Sequence, residues 1–339
     1  MNSESTFINT ERRRKKHMEN LTRKKGRSPP EKLRILKAHF KGFESLKTET
    51  QNKNTYKEKM KMITKNMIIE GLENRGYIVD AHTCIKNGIE KEGLCIKKSE
   101  SDTIAPTVYA DDLIERAYQS GMGVEQVIDS VVAMISREFT FDVEKINDVE
   151  YFKTNARIGV QRESSEDLVK RPTQFEGIEE YIYLADEHEG ESFSIKVRPQ
   201  MLDMWRIDAE TAFARAEENT HKDTEITPLG DVLRHMMGDD FADKFGESEN
   251  SVAPMYVISN KSQVKGASAM LDTKAIKELA DRIGVHEFVL IPSSIHECIL
   301  VPKFEDISLD FFNNMVTEVN ETTVDPLDKL VDRAYLLTA

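Results

Sequence analysis

The last third of the chain alternates short apolar runs with amphipathic stretches, and this order most constrains the fold. Runs rich in β-branched and aromatic residues predict strands, and apolar residues at three- and four-residue spacing predict helices. In chain order, the predicted elements are strands at Met255–Ser259 and Ala267–Leu271, a helix at Asp272–Ile283, strands at Phe288–Ile291 and Ile295–Val301, and a helix from Ser308 to about Val319. This order favours mixed or antiparallel sheets with helices packed on one face, and not a doubly wound parallel fold.

A hairpin nearer the N-terminus has a register that the sequence itself specifies. The dipeptide Asn87-Gly88 is typical of a two-residue turn, so residue 86 pairs with residue 89 and the pairing continues outward from there. In this register Val79, Ala81, Leu94 and Ile96 share one face of the hairpin. We predict that this face is buried.

The three cysteines indicate reduced thiols and not a disulfide framework. In the hairpin register Cys84 faces Lys91 and Cys95 faces Asp80, so the two thiols share a face but lie four residues apart, too far to bridge. Cys298 lies elsewhere, and no Cys-x-x-Cys or Cys/His spacing typical of zinc is present. The sequence therefore predicts no metal site and no cofactor.

Length and patterning divide the chain into a head and two folded sections. Of the 339 residues, 39% are hydrophobic, which is too many for a wholly disordered chain. We predict a basic, disordered head at 1–53, an α+β section at 54–250 and a sheet-and-helix section at 251–339. The fold class expected for the whole is α+β.

Apolar segments long enough for a membrane are missing from the sequence. No run approaches the roughly 18 apolar residues that a membrane-spanning helix needs. The first 30 residues are polar and basic and contain no apolar segment typical of a secretory signal. We therefore expect a cytoplasmic protein with no membrane partner.

Formal charge is distributed unevenly between the head and the remainder. Residues 1–66 carry a balance of +12, which leaves −25 for the other residues out of a total of −13. The cations of the head can bind nucleic-acid phosphates without sequence preference. They are Arg12, Arg13, Arg14, Lys15, Lys16, Arg23, Lys24, Lys25 and Arg27. The alternative is a solvated tail, or an extension that begins ahead of the true start.

Four stretches, taken in order, resemble the signature segments of an uncharacterised family of soluble bacterial proteins. They are Ala105–Tyr109, Met204-Trp205, Met255–Asn260 and Ile291–Glu297. The resemblance runs from about residue 56 to the C-terminus and leaves the basic head outside. It implies a cytoplasmic location and one shared architecture, and it implies no activity.

The most suggestive chemical cluster is the run Ser293, Ser294, His296 and Glu297. Serine and histidine can act as nucleophile and base, and a carboxylate can orient the imidazole. The sharp elbow and oxyanion hole of serine hydrolases are not evident. His296 and Glu297 are adjacent on a predicted strand, so their side chains point to opposite faces. The alternative is a turn in which the hydroxyls satisfy backbone groups.

Three functional hypotheses remain open from the sequence. The first is a non-catalytic binding or regulatory protein with an unknown protein partner, because the recognised catalytic and phosphate-binding motifs are absent. The second is a hydrolase-like enzyme that uses the Ser293/Ser294/His296 neighbourhood. The third is association of the head with nucleic acid. Asn260, at the end of a predicted strand, is a candidate ligand-binding residue or an ordinary turn residue.

Overall fold

The computed structural model describes residues 63–100, 102, 105–136, 142–188, 191–237, 254–292, 294–303, 308–322 and 324–339. The basic clusters of the head therefore lie outside the described residues. The described residues divide into two compact units, one within Thr50–Val143 and the other within Glu144–Ala339. A 3-10 helix, Val143–Asn147, spans the point of division.

The first unit combines three helices with one three-stranded sheet. Its strands are in the order β1-β2-β3 and every pairing is antiparallel. The pairing of residue 86 with residue 89 confirms the register predicted from Asn87-Gly88. The elements are α1 (Lys65–Glu73), β1 (Ile78–Lys86), β2 (Ile89–Lys97), β3 (Thr107–Tyr109), α2 (Ala110–Ser120) and α3 (Val124–Ile135).

The helices of this unit pack on one face of its sheet. Leu94, Ile96 and Val108 are buried in the same apolar cluster as Leu72 of α1. The predicted buried face is therefore confirmed on the central strand. Ala81 is an exception, because it lies on the edge strand β1 and is exposed.

The second unit begins with a four-stranded antiparallel sheet. Strand β6 lies at its centre, with β4 on one side and β5 and β7 on the other. Strands β6 and β7 form a hairpin that pairs as far as His188 and Glu191. The elements are α4 (Val149–Asn155), β4 (Ala156–Arg162), β5 (Lys170–Pro172), β6 (Ile178–His188), β7 (Glu191–Lys196), α5 (Pro199–Trp205) and α6 (Ala209–His221).

A five-stranded sheet follows in the same unit, with the order β12-β10-β11-β9-β8. All its pairings are antiparallel, so the α+β class is confirmed. The elements are β8 (Thr224–Pro228), α7 (Leu229–Met237), β9 (Tyr256–Asn260), a 3-10 helix (Gly266–Leu271), α8 (Thr273–Ile283), β10 (Glu287–Ile291), β11 (Cys298–Pro302), α9 (Leu309–Thr322) and β12 (Tyr335–Thr338).

Two of the strands predicted in the last third of the chain differ from the structure. The strand predicted at Ala267–Leu271 is wrong, because these small residues form the 3-10 helix that precedes the Asp272 cap of α8. The strand predicted at Ile295–Val301 begins three residues later, at Cys298. The expected division at residues 250 and 251 falls between β8 and β9, which pair within one sheet.

Both faces of the five-stranded sheet are buried. On one face, Val289 and Ile299 pack with Phe312 and Val316 of α9. On the other, Phe288 and neighbouring residues pack with α8 and the 3-10 helix. Helices on one face were expected, and this holds for the three-stranded sheet, whereas the five-stranded sheet has helices on both. Burial of this much apolar surface is the main favourable contribution to folding.

We expect Gly266→Ala to lower the free energy of unfolding by about 1–3 kcal/mol, the usual range for an overpacked site. An added Cβ would lie 2.2 Å from the Ser259 Oγ and 2.8 Å from the His296 carbonyl oxygen. Gly230→Ala is the matched control, because nothing lies within 4 Å of its Cβ. Urea unfolding of both variants checks this, and equal effects would contradict it.

Candidate functional site

The segment that carries His296 is held by main-chain bonds before it enters β11. Ser294 forms an isolated antiparallel bridge with Lys329. The Ile295 amide donates to the Asp328 carbonyl at 2.7 Å. The Ala267 amide donates to the Ile295 carbonyl at 3.2 Å. The segments that contain Ala267 and Asp328-Lys329, both distant in sequence, therefore fix the position of His296.

The imidazole of His296 faces a backbone amide and a carboxylate. Its Nδ1 accepts a hydrogen bond from the Lys265 amide at 3.2 Å, so this nitrogen is unprotonated. Its Nε2 lies 3.5 Å from the Asp328 Oδ1. The side chain is 30% exposed. The arrangement can hold a proton between Nε2 and the carboxylate, and among the described residues no serine hydroxyl contacts the ring.

The serine hydroxyls near His296 bond to its backbone. The Ser294 Oγ accepts from the His296 amide at 2.9 Å, and the Ser259 Oγ donates to the His296 carbonyl at 2.8 Å. Glu297 is buried. Ser293 lies outside the described residues, so the hydrolase hypothesis stays a prediction. What the described residues form is the backbone-satisfying turn that was the alternative.

Asn260 uses both ends of its amide within its own turn. Its Nδ2 donates to the Val264 carbonyl at 2.8 Å, and its Oδ1 accepts from the Val264 amide at 3.2 Å and from the Ser262 Oγ at 3.1 Å. These bonds hold the loop that presents the Lys265 amide to His296. Ligand binding by Asn260 stays a prediction.

A polar network that sequence reasoning missed covers one face of the four-stranded sheet. Lys196 Nζ lies 2.7 Å from the Glu166 Oε1, and Lys170 Nζ lies 3.0 Å from the Glu179 Oε2. The buried Gln161 amide joins the two pairs, because its Nε2 donates to Glu179 at 2.8 Å and to Glu166 at 3.0 Å. The charges balance, which suits a structural network.

A serine and a lysine also meet in this network. The Ser164 Oγ donates to the Glu179 Oε1 at 2.9 Å and lies 3.4 Å from the Lys170 Nζ. The Lys170 ammonium and the Ser164 hydroxyl therefore share the Glu179 carboxylate as their partner. Tyr183 lies buried on the same sheet face, and burial raises its pKa to about 12. The network covers the buried tyrosines of β6.

A cleft of about 830 Å³ lies beside β12, the edge strand of the five-stranded sheet. Leu309 of α9 and Leu336 of β12 line it and are 38% and 46% exposed. We call it the edge cleft. It is lined by residues 174–176, Met270, Thr273, Ile276, Leu309, Asn313 and residues 332–339.

Aromatic packing forms one wall of the edge cleft. Phe175 and Tyr335 meet edge to face with ring centroids 5.1 Å apart. The Tyr335 hydroxyl donates to the Glu176 carbonyl. This wall holds the 174–176 segment against the first residue of β12. The sequence signal that could have located the cleft is the short apolar run Tyr335–Leu337 near the C-terminus, which is consistent with a strand.

The described part of the chain contains neither a cluster of potential metal ligands nor a helix suited to a membrane. Among those residues, no three His, Cys, Asp or Glu side chains come together in a way that could hold a metal ion. No helix there has the length and apolar character required to cross a bilayer.

Comparison with family models gives a match that covers most of the chain. The model of DUF5688, a family of unknown function, matches residues 53–338. The matched region leaves out the basic clusters of the head, as the resemblance to an uncharacterised family implied. No curated protein and no solved structure matches the chain.

We expect Ser294→Ala to lower the free energy of unfolding by about 1–2 kcal/mol, because a buried hydroxyl that satisfies a backbone amide is removed. Ser262→Ala is the control, since its hydroxyl makes one exposed bond to Asn260. We expect a loss below about 0.5 kcal/mol there. Thermal unfolding of both variants measures the difference.

The same variant also tests the hydrolase hypothesis. The rate of p-nitrophenyl acetate hydrolysis is measured for the unchanged full chain and for Ser294→Ala. If the unchanged chain hydrolyses the ester and the folded variant does not, a purely structural role for this hydroxyl is contradicted. We expect the hydrolysis rates of the two proteins to be equal.

Proposed function

Because the chain belongs to this family of unknown function, we propose a function from the geometry: it is a non-catalytic binding protein whose ligand site is the edge cleft. The observation that carries the proposal is a cleft of about 830 Å³ lined by two exposed leucines beside an open sheet edge. Ligand sites of proteins usually have volumes of about 300–1,000 Å³. Polar side chains such as Gln174, Asn313 and Thr338 share the lining of this cleft with the leucines.

The exposed apolar residues of the second unit favour this cleft. Four of its large hydrophobic side chains are classed as exposed among the described residues: Met204, Val264, Leu309 and Leu336. Two of the four, Leu309 and Leu336, line the same cleft. Clustered exposed apolar residues are typical of interaction sites, whereas scattered ones are ordinary.

The polar clusters favour binding over catalysis. The hydroxyls of Ser259 and Ser294 are engaged with the His296 backbone, and Ser164 is engaged with Glu179. A nucleophile needs a base within hydrogen-bond reach. Ser259 and Ser294 bond to backbone groups and not to a side-chain base, and the carboxylate that Ser164 reaches is already paired with Lys170. The catalytic alternative therefore has less support than the cleft.

The proposal includes a protein partner and a cytoplasmic location. The −25 balance of residues 67–339 attracts cationic proteins and repels nucleic-acid phosphates. Cys84, Cys95 and Cys298 are unbridged thiols, which is the usual state in reducing compartments.

The proposal is tested by selecting 12-residue random peptides, displayed on phage, against the full chain. We expect Leu336→Arg to weaken the recovered peptides at least tenfold, because burial of one leucine is worth about 1.5–3 kcal/mol and tenfold corresponds to about 1.4 kcal/mol. Isothermal titration of each synthetic peptide gives the affinities.

Met204→Arg is the matched control, because Met204 on α5 is 41% exposed and lies outside the edge cleft. We expect affinities within twofold of the unchanged protein. The proposal is wrong if no selected peptide loses affinity with Leu336→Arg, or if both variants lose it equally.

A further inference from the structure

Among the described residues, the main chain of β12 is paired on one side only, with β10. Ala339 donates its amide to the His286 carbonyl at 2.9 Å, and the register pairs Phe288 with Leu337. In an antiparallel ladder, hydrogen-bonded and non-hydrogen-bonded pairs alternate. The main-chain groups of residues 335, 337 and 339 therefore face β10. Those of Leu336 and Thr338 face away from it.

The outward groups of β12 open into the edge cleft, which Leu336 and Thr338 both line. The preceding outward amide, that of Ala334, is already satisfied by the Asn313 Oδ1 at 2.8 Å. The open length of the edge therefore begins at Leu336. Unpaired N–H and C=O groups in a row are a template for another strand.

The cleft lies at the level of the sheet, between the two layers that cover it. Met270 and Ile276 belong to the apolar cluster on one face of the sheet, and α9 packs on the other. Residues of both layers line the cleft, namely Thr273 and Ile276 on one side and Leu309 and Asn313 on the other. A single added strand would lie between these layers.

We propose that an extended segment of a cationic partner protein binds in the edge cleft as a sixth strand, hydrogen-bonded to Leu336 and Thr338. This inference rests on the proposed function and specifies its ligand. Strand addition obtains affinity from main-chain hydrogen bonds and specificity from alternate side chains. The alternate side chains on the α9 side meet Leu336 and Leu309, which selects apolar residues at those positions.

Charge favours a basic partner over a second copy of this chain. The total charge of −13 makes two whole copies repel each other, whereas the −25 balance of residues 67–339 attracts a cationic segment. Two carboxylates, Glu176 and Asp332, line the cleft together with one guanidinium, Arg333, which pairs with Glu176, so the charged side chains of the lining sum to a negative charge. The occupant is therefore a strand that combines lysine or arginine with apolar residues.

The test compares two N-methylated versions of a selected peptide. Each version carries the methyl groups on every second backbone amide, and the two versions differ in which alternate set is methylated. One set removes the N–H groups that face β12, and the other removes those that face away. We expect one set to weaken binding to the full chain at least tenfold and the other to change it less than threefold. Selected peptides are expected to be net positive and to bind more weakly at 500 mM than at 50 mM NaCl.

Each other outcome overturns a stated part of the account. Peptides that need Leu336 but respond equally to both methylated sets contradict strand addition and leave the proposed function standing. Net-negative peptides contradict the cationic partner. Absence of any Leu336-dependent peptide contradicts the proposed function itself. A dimer in sedimentation equilibrium that Leu336→Arg dissociates would show that the occupant is a second copy.

Discussion

Burial of both faces of the five-stranded sheet is the constraint on which the rest of the second unit depends. Successive residues of a strand point to opposite faces, so β10 sends Phe288 and Leu290 into one apolar cluster and Val289 and Ile291 into the other. Antiparallel sheets commonly leave one face to solvent. Here neither face is available for binding, and a ligand can reach the sheet only at its edge or through its loops.

This constraint explains where the polar residues are. The loop after β9 presents the Lys265 amide to His296, and the turn before β11 is tied to Asp328. These bonds satisfy main-chain groups at the ends of buried strands, where unpaired groups would cost free energy. The Ser259 and Ser294 hydroxyls make bonds of the same kind to the His296 backbone and so contribute to the structural support of the sheet.

The parts of the fold that could be predicted were those with strong local signals. Asn87-Gly88 set the register of the β1–β2 hairpin, and the spacing of apolar residues after Asp272 located α8. The missed strand β12 has only four residues and follows an irregular stretch, so its pattern was too short to stand out. Ala267–Leu271 looked like a strand because its residues are apolar, although the close approach at Gly266 compacts the backbone.

The candidate site was less predictable than the fold, because it joins residues distant in sequence. Their closeness in sequence suggested that Ser294 and His296 act together. In the structure, the His296 imidazole contacts the Lys265 amide and the Asp328 carboxylate. The edge cleft depends on which strand lies at the end of the sheet order. That order follows from tertiary pairing, which local sequence patterns do not determine.

Amide hydrogen exchange of the full chain, followed by NMR with and without a bound cationic peptide, tests the central claim most directly. The account predicts slow exchange at Leu337, which bonds to β10, and fast exchange at Leu336 and Thr338 in the unbound protein. Saturation with peptide should slow exchange at Leu336 and Thr338 at least tenfold. Unchanged exchange at both residues in the saturated protein would contradict the account.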